Sequence, residues 1–386
     1  LWHNPGMRTG HLLLPLFAAL LFACGGERVV DTTGPLRIGV ILPMTGDQST
    51  YGEESWNGIQ LALEDLGKEG WPKGIEWKPI LRDEASDKMV AGNNAKLLVE
   101  NEKAHVLIGS VASGHTAQIA VEAREGEVPL ITPASTNDTL TKEYGPFVSR
   151  ICFKDSWQGA VLANFSTQQG WKNAVAVVDK AQLYSTGLAE NFQKVFTAEG
   201  GTCRFVYYTT EDTDFANVIL NVANEKPDVI FISGYYAQGG PMIRQAGDRW
   251  AGIPIIAGDG LDSPDLIGLV GESKAEIYMS SHFAADAPDE QVRAFAQRYE
   301  KQYGKLPGAM AALGYDVMLV LADAAKRCEN PRDWNALAEA IRTTKGVKCI
   351  TGVIDLTTPD RTPIKDAVIV KVAGGLKYHA TIKANP

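Results

Sequence analysis

Cysteine is scarce in this chain, and so is charge: 386 residues carry five cysteines and only 22% Asp, Glu, Lys and Arg. That cysteine content excludes a disulfide-built scaffold. With 37 basic residues against 46 acidic ones, a formal charge of −9 and no long Lys/Arg run, nucleic acid is excluded as a partner. Glycine and proline follow no period, which removes collagen-like classes, and 45% hydrophobic residues are too many for disorder. Catalytic signatures are missing as well: there is no Gly-x-Ser-x-Gly, no Walker phosphate loop and no His-Glu-x-x-His. The run from Gly258 to Ser263 half-matches a dinucleotide fingerprint but lacks its third glycine. His115, two residues from Ser113, is the one tempting catalytic pair, and its context reads as a helix start. No enzyme, cofactor or metal is expected, and the length suggests two globular domains.

What is present begins at Met7. Arg8 is followed by an almost wholly apolar stretch over 12–23, ending in Leu21-Phe22-Ala23-Cys24-Gly25. This is a signal-peptide core, too short to span a bilayer stably. Leu21 and Ala23, at minus three and minus one, resemble the lipobox of bacterial lipoproteins, which implies a diacylated Cys24 at the mature N-terminus. Residues 1–23 are expected to be a signal peptide with an upstream extension, and 24–35 a lipidated linker. Two acyl chains give the two signals that stable anchoring needs. The body is expected outside the cytoplasm, periplasmic or at the cell surface, touching the membrane through that anchor alone. Cys152, Cys203, Cys328 and Cys349 then remain in a compartment that permits disulfides. The preferred pair is Cys328 with Cys349, a bridge worth roughly 3 kcal/mol by loop entropy. Other pairings and free thiols stay open.

Strand-like and helix-like segments alternate from residue 36 onward. Leu36–Leu42 is an apolar, β-branched run, and Ile59, Ala62, Leu63 and Leu66 mark one face of the following helix. The runs 105–108, 128–131, 174–178, Val229–Ser233 and 253–257 repeat the pattern. Near-continuous apolar runs are what strands covered on both faces require, so the fold class is α/β with doubly wound parallel sheets. The spacing breaks at 144–157, and again after 277–282, where three helices (289–303, Ala309–Arg327 and 331–343) follow without an obvious strand. Strands return at 351–356 and at Ala367–Val372, the latter in a hairpin past Gly374-Gly375. The order suits a chain that crosses between two lobes and returns: 36–153 plus 284–355 for the first, 154–283 plus 356–386 for the second.

Four blocks carry a resemblance: Leu-Pro-Met-Thr-Gly-Asp-Gln-Ser-Thr-Tyr-Gly (42–52), Ile-Gly-Ser-Val-Ala-Ser-Gly-His-Thr (108–116), Leu-Ile-Thr-Pro-Ala-Ser-Thr (130–136) and Gly-Asp-Gly-Leu-Asp-Ser-Pro (258–264). In order and spacing they resemble the type I periplasmic binding proteins of the leucine/isoleucine/valine-binding class, the solute receptors of ABC transporters. The resemblance implies two lobes joined by a three-strand hinge, a Venus flytrap with the ligand between the lobes. Its expected partners are an amino acid, branched-chain first, and the permease subunits. The alternatives are a ligand sensor on the same fold, or a small amide or aromatic amino acid as ligand.

The resemblance also assigns a site. Ser113, at a helix N-terminus where free N–H groups suit an anion, and Thr136 correspond to residues that bind the ligand carboxylate. Ala134, in the turn with Ser135, offers a carbonyl to the ammonium group. Asp259 takes the acidic position that pairs with that ammonium, an interaction read as setting specificity more than affinity because desolvation opposes it. Tyr51, Tyr184, Tyr235 and Tyr315 match aromatics that line the cleft. Ser113, the 134–136 turn and the tyrosines each have a plainer reading as a helix cap, a turn or a packing group, whereas Asp262 or Ser263 before Pro264 starts the next helix and leaves Asp259 without a capping role.

Overall fold

A computed structural model of the chain describes residues 33–384; the signal-peptide and Cys24 expectations fall outside the described residues. Five parallel strands, β1 to β5 (Leu36–Leu42, Trp77–Asp83, Val106–Gly109, Leu130–Thr132 and Val148–Arg150), form one sheet in the order β2-β1-β3-β4-β5. The central strands are apolar on both faces because helices cover both: Ile38, Val40 and Ile108 on one face and Ile41 and Leu107 on the other have no exposed surface. A second, seven-stranded sheet takes β6 to β10 (Asn173–Asp179, Thr202–Tyr208, Val229–Ser233, Ile255–Ala257 and Ile277–Ser281) in parallel, in the order β10-β9-β8-β6-β7. After a two-stranded hairpin of β11 and β12 (Val347–Cys349 and Gly352–Ile354), the hairpin β13–β14 (Ala367–Val372 and Leu376–Ile382) closes this sheet antiparallel to β10.

The long helices Ser49–Glu69 and Ala309–Arg327 pack together on the first half, although more than 200 residues of sequence separate them. They approach backbone to backbone: a Cβ on Gly58 would sit 2.0 Å from the Ala311 carbonyl oxygen, and one on Gly314 would sit 2.2 Å from that of Ser55. Only glycine fits at either position.

The chain crosses between the halves three times, after Arg150, after Ser281 and between Ile354 and Ala367. Lys365, on the third of these segments, ties it to the first: its buried ammonium donates to the Ile151 carbonyl at 3.3 Å, and also to the Thr351 hydroxyl in the β11–β12 turn. The Asp316 carboxylate accepts from the Ile350 and Thr351 amides at 2.7 and 2.8 Å and faces the same lysine.

The expected Cys328–Cys349 bridge is corrected by the structure, in which Cys152, Cys203, Cys328 and Cys349 are all free thiols. Cys328 ends its helix with its thiol donating to the Ala336 carbonyl at 3.3 Å, while Cys349 is buried in β11, facing Asp316 and Lys365. Spacing across a helix does not fix direction, and the thiol of Cys328 is engaged with a helix carbonyl. Among the described residues no helix is long and apolar enough to cross a membrane.

Candidate functional site

The two halves meet at the carboxyl ends of their strands, where open α/β sheets place ligands. The meeting is closed. The Tyr51 hydroxyl donates to the Gly260 carbonyl at 2.6 Å, Gln238 donates to Asp47 at 3.1 Å, and Thr50 bonds Asp265. The Asn137 amide donates to the Leu183 carbonyl at 3.1 Å. Asp138 accepts from the Ser156 amide at 2.9 Å, capping from the first half the helix Asp155–Gln168 that opens the second. Within this closure lies a small, nearly filled pocket, lined by Tyr51, Val111, Ala134, Thr136, Tyr184, Tyr235, Asp259, Gly260 and Met310.

Six of the nine residues expected in the ligand site line this cavity. Ala134 and Thr136 come from the turn after β4, which Arg150 braces by donating to the Ser135 carbonyl at 2.9 Å and the Asn137 carbonyl at 2.7 Å. The Thr136 hydroxyl is buried and makes no hydrogen bond of good geometry, although it bears on the Asp155 carboxyl. Ser113 opens its helix behind Val111, its hydroxyl accepting from the Asn137 amide at 3.2 Å, while its own amide bears on the Tyr235 hydroxyl from across the cleft. Tyr184 and Tyr235 stack at 5.2 Å, and Tyr51 meets Tyr236 edge-on at 4.8 Å. Burial pushes the hydroxyls of Tyr51, Tyr184 and Tyr235 well above the usual tyrosine range, so they remain donors.

Two expected residues are placed elsewhere. The Ser135 hydroxyl points into the first half, donating to the Ser110 and Val111 carbonyls at 3.1 Å each. Successive residues of a turn face opposite ways, and Ala134 and Thr136 take the cleft side. Tyr315 lies on the outer helix layer, where its hydroxyl donates to Asp65 at 2.8 Å beside Arg298. Met310, five residues earlier, fills the cleft position from the same helix. The tempting Ser113–His115 pair does not form, because the His115 ring turns to Glu84 at 2.7 Å.

Asp259 has both oxygens engaged: the Tyr184 hydroxyl donates to one at 2.8 Å and His282 meets the other at 3.1 Å. A second carboxylate, absent from the sequence reading, stands beside it. Asp155 is fully buried, both its oxygens lack a geometric partner, and its amide donates to the Thr136 carbonyl at 2.9 Å. Burial holds the Asp155 carboxyl well above its ordinary range; the charge of Asp259 pushes the same way and the Thr136 hydroxyl opposes it. One turn later both polar atoms of buried Gln158 are also unpartnered. The available signal was an acidic residue opening a helix straight after the apolar segment 151–153. Among the described residues no cluster of His, Cys, Asp or Glu is arranged to hold a metal ion.

A polar cluster and an apolar wall, enclosed between two α/β halves that touch mainly through directed hydrogen bonds, define a protein that works by closing on a small solute. The chain belongs to the periplasmic binding protein family, whose model matches residues 35–376. It is similar to the Leu/Ile/Val-binding protein BraC3 of Rhizobium johnstonii, with 28% identity over 323 residues, 83% of this chain and 86% of that protein. Among solved structures it resembles a leucine binding protein LivK from Thermotoga maritima MSB8, at 37% identity and TM-score 0.85, covering 90% of this chain and 99% of that one. The branched-chain amino acid substrate binding protein LivJ from Streptococcus pneumoniae, solved with isoleucine, matches at 27% identity and TM-score 0.82, covering 91% of this chain and 100% of that one.

Proposed function

We propose that this protein is the extracytoplasmic binding component of an ABC transporter for amino acids, and that it captures leucine, isoleucine or valine and presents the closed form to the permease. The observation that carries the reading is the arrangement of unpaired polar groups around a small apolar space. The Thr136 hydroxyl and Asp259 share the lining with Val111, Ala134 and Met310, and beside them both Asp155 oxygens are buried with no well-formed hydrogen bond, facing only Asp259 and the Thr136 hydroxyl at short range. A buried carboxylate needs a counter-charge or a proton, and a zwitterion's ammonium supplies the first. The Thr136 hydroxyl and the helix N-terminus at Ser113 suit its carboxylate. Names of the similar proteins, BraC3, LivK and LivJ, agree with this ligand class.

A thermal-shift screen of the twenty amino acids and simple amides tests the ligand. Leucine, isoleucine or valine at a hundredfold excess over Kd adds about 2.7 kcal/mol to stability, and no shift with any of the three sinks the reading. Calorimetric titration of Asp259→Ala tests the site: binding falls about tenfold or more if a charge-assisted contact is lost, and an unaltered affinity removes Asp259 from it. The same proposal includes lipidation at Cys24, checked by mass spectrometry of the wild type and Cys24→Ala. It also includes the division into lobes at 36–153 plus 284–355 and 154–283 plus 356–386, which the partition of the two sheets supports.

A further inference from the structure

His282 follows β10 at the point where the chain leaves the second half, and its side chain is fully buried. Its ring stacks on Phe153, in the first crossing segment, with centroids 3.8 Å apart and planes at 29°. Its Nε2 lies 3.1 Å from Asp259 Oδ2, and its Nδ1 has no partner. One side chain therefore joins two crossing segments to the carboxylate of the ligand site. Tyr184 holds the other oxygen of that carboxylate, so Asp259 cannot turn without breaking a buried hydrogen bond.

We propose that His282 positions Asp259 for the ligand's ammonium group and, by remaining a neutral N–H donor, leaves the charge of that carboxylate to the ligand. This rests on the reading of the ligand as an α-amino acid. Burial lowers the imidazole below its ordinary value, Lys365 in the third crossing segment adds to that, and Asp259 opposes both. On the cleft side stand Tyr184 from the helix Leu183–Ala198 and Asp155, which feels the charge of Asp259; on the other side His282 borders a pocket with Asp289, Lys348, Asp366 and Lys383. With Nε2–H donating, Nδ1 is bare, and its missing partner is consistent with a neutral ring lying on Phe153. A cationic His282 would pair Asp259 internally and compete with the ammonium. Acid must therefore weaken capture through this residue.

The test uses the full chain, two ligands and two variants. Leucine is compared with its des-amino analogue 4-methylpentanoate by calorimetry at about pH 7.5 and about pH 5.5, a span within which an imidazole can titrate. His282→Gln keeps a neutral donor and is expected to bind leucine like the wild type at the higher pH. His282→Phe keeps the stack but not the donor, and is expected to lose about tenfold or more for leucine with no comparable loss for the analogue. On acidification the wild type is expected to lose more affinity than His282→Gln, while Asp155 and the other carboxyls titrate in both. Equal losses for both ligands in His282→Phe, or identical pH profiles for the wild type and His282→Gln, overturn the proposal. The profile comparison decides alone if His282→Phe does not fold. A wild type that fails to prefer leucine over its analogue refutes the amino-acid reading itself, and is distinguished by appearing before any variant is compared.

Discussion

Replacing Tyr51 with phenylalanine isolates closure from ligand chemistry. The ring is 1% exposed and packs edge-on against Tyr236, so the substitution removes one oxygen and leaves the packing in place. That oxygen donates across the cleft to the Gly260 carbonyl at 2.6 Å. In the variant the carbonyl closes into a buried setting without this partner, a penalty of about 1–3 kcal/mol. At 1.4 kcal/mol per decade this corresponds to about 5- to 150-fold in Kd. The bond exists only when the halves meet, so the loss belongs to the closed state. Titration calorimetry should show the weaker binding, stopped-flow release should show most of it as faster dissociation, and the free protein should melt where the wild type does. Because the hydroxyl stays protonated throughout the ordinary pH range, the difference should not change with pH. An unchanged Kd, or an equal fall in melting temperature with and without ligand, would refute the assignment of this bond to closure.

Ser135→Ala should lower the melting temperature by the equivalent of about 1 kcal/mol and leave affinity unchanged, because its hydroxyl serves the Ser110 and Val111 carbonyls; a selective loss of binding would return Ser135 to the site. Glu54 and Asp262 are buried on opposite halves, the charge of Asp262 reaching Glu54, and burial raises them to about 8 and about 7. Carboxyls raised on folding stabilise fully at low pH and lose that contribution as pH rises through the folded values. The melting temperature should therefore fall from pH 5 to 8, less steeply in Glu54→Gln, and a flat or rising profile contradicts this. The four body cysteines should react with a thiol reagent only on unfolding, since burial raises the thiols, Cys152 and Cys203 to about 12; a melting temperature that drops on adding reductant would instead reveal a bridge.

Most of the central strands were legible because burial on both faces writes an unbroken apolar run, as in Leu36–Leu42 and Val229–Ser233. Sequence reasoning passed over Val347–Cys349, a short arm of the two-stranded hairpin, and Trp77–Asp83 and Thr202–Tyr208, which are edge strands of the two main sheets. Lys78, Arg82 and Arg204 can stand in them because one side faces solvent, so the apolar-run criterion has nothing to find. The site divides in the same way. Thr136 and Asp259 follow strands in blocks whose spacing is informative, whereas Asp155 and His282 sit where a crossing segment ends and begins, at the first residue of a helix and just past a strand, where periodicity gives little signal. Tyr315 shows the reverse error: helical phase decides whether a residue faces the cleft, and five residues separate the facing Met310 from Tyr315.

The groups proposed to hold the ligand also oppose closing without one. In the closed form Asp155 is buried beside Asp259, and none of the residues lining the cavity is a lysine or arginine. The Thr136 hydroxyl and the more distant charge of Arg150, whose guanidinium is engaged with the Ser135 and Asn137 carbonyls, offset its burial only in part. Closing over these groups strips water from a carboxyl and gives it no adjacent counter-charge, so it must take up a proton or the halves must stay apart. An ammonium group changes the balance, since it answers the carboxyls while the ligand's own carboxylate engages Thr136 and the helix N-terminus at Ser113. The cross-cleft bonds from Tyr51, Gln238 and Thr50 then add to a closure that the ligand has made favourable. On the proposed reading the buried acidic pair does two things at once: it selects for an amino group, and it keeps the unliganded receptor open, so that the closed shape reports a bound solute.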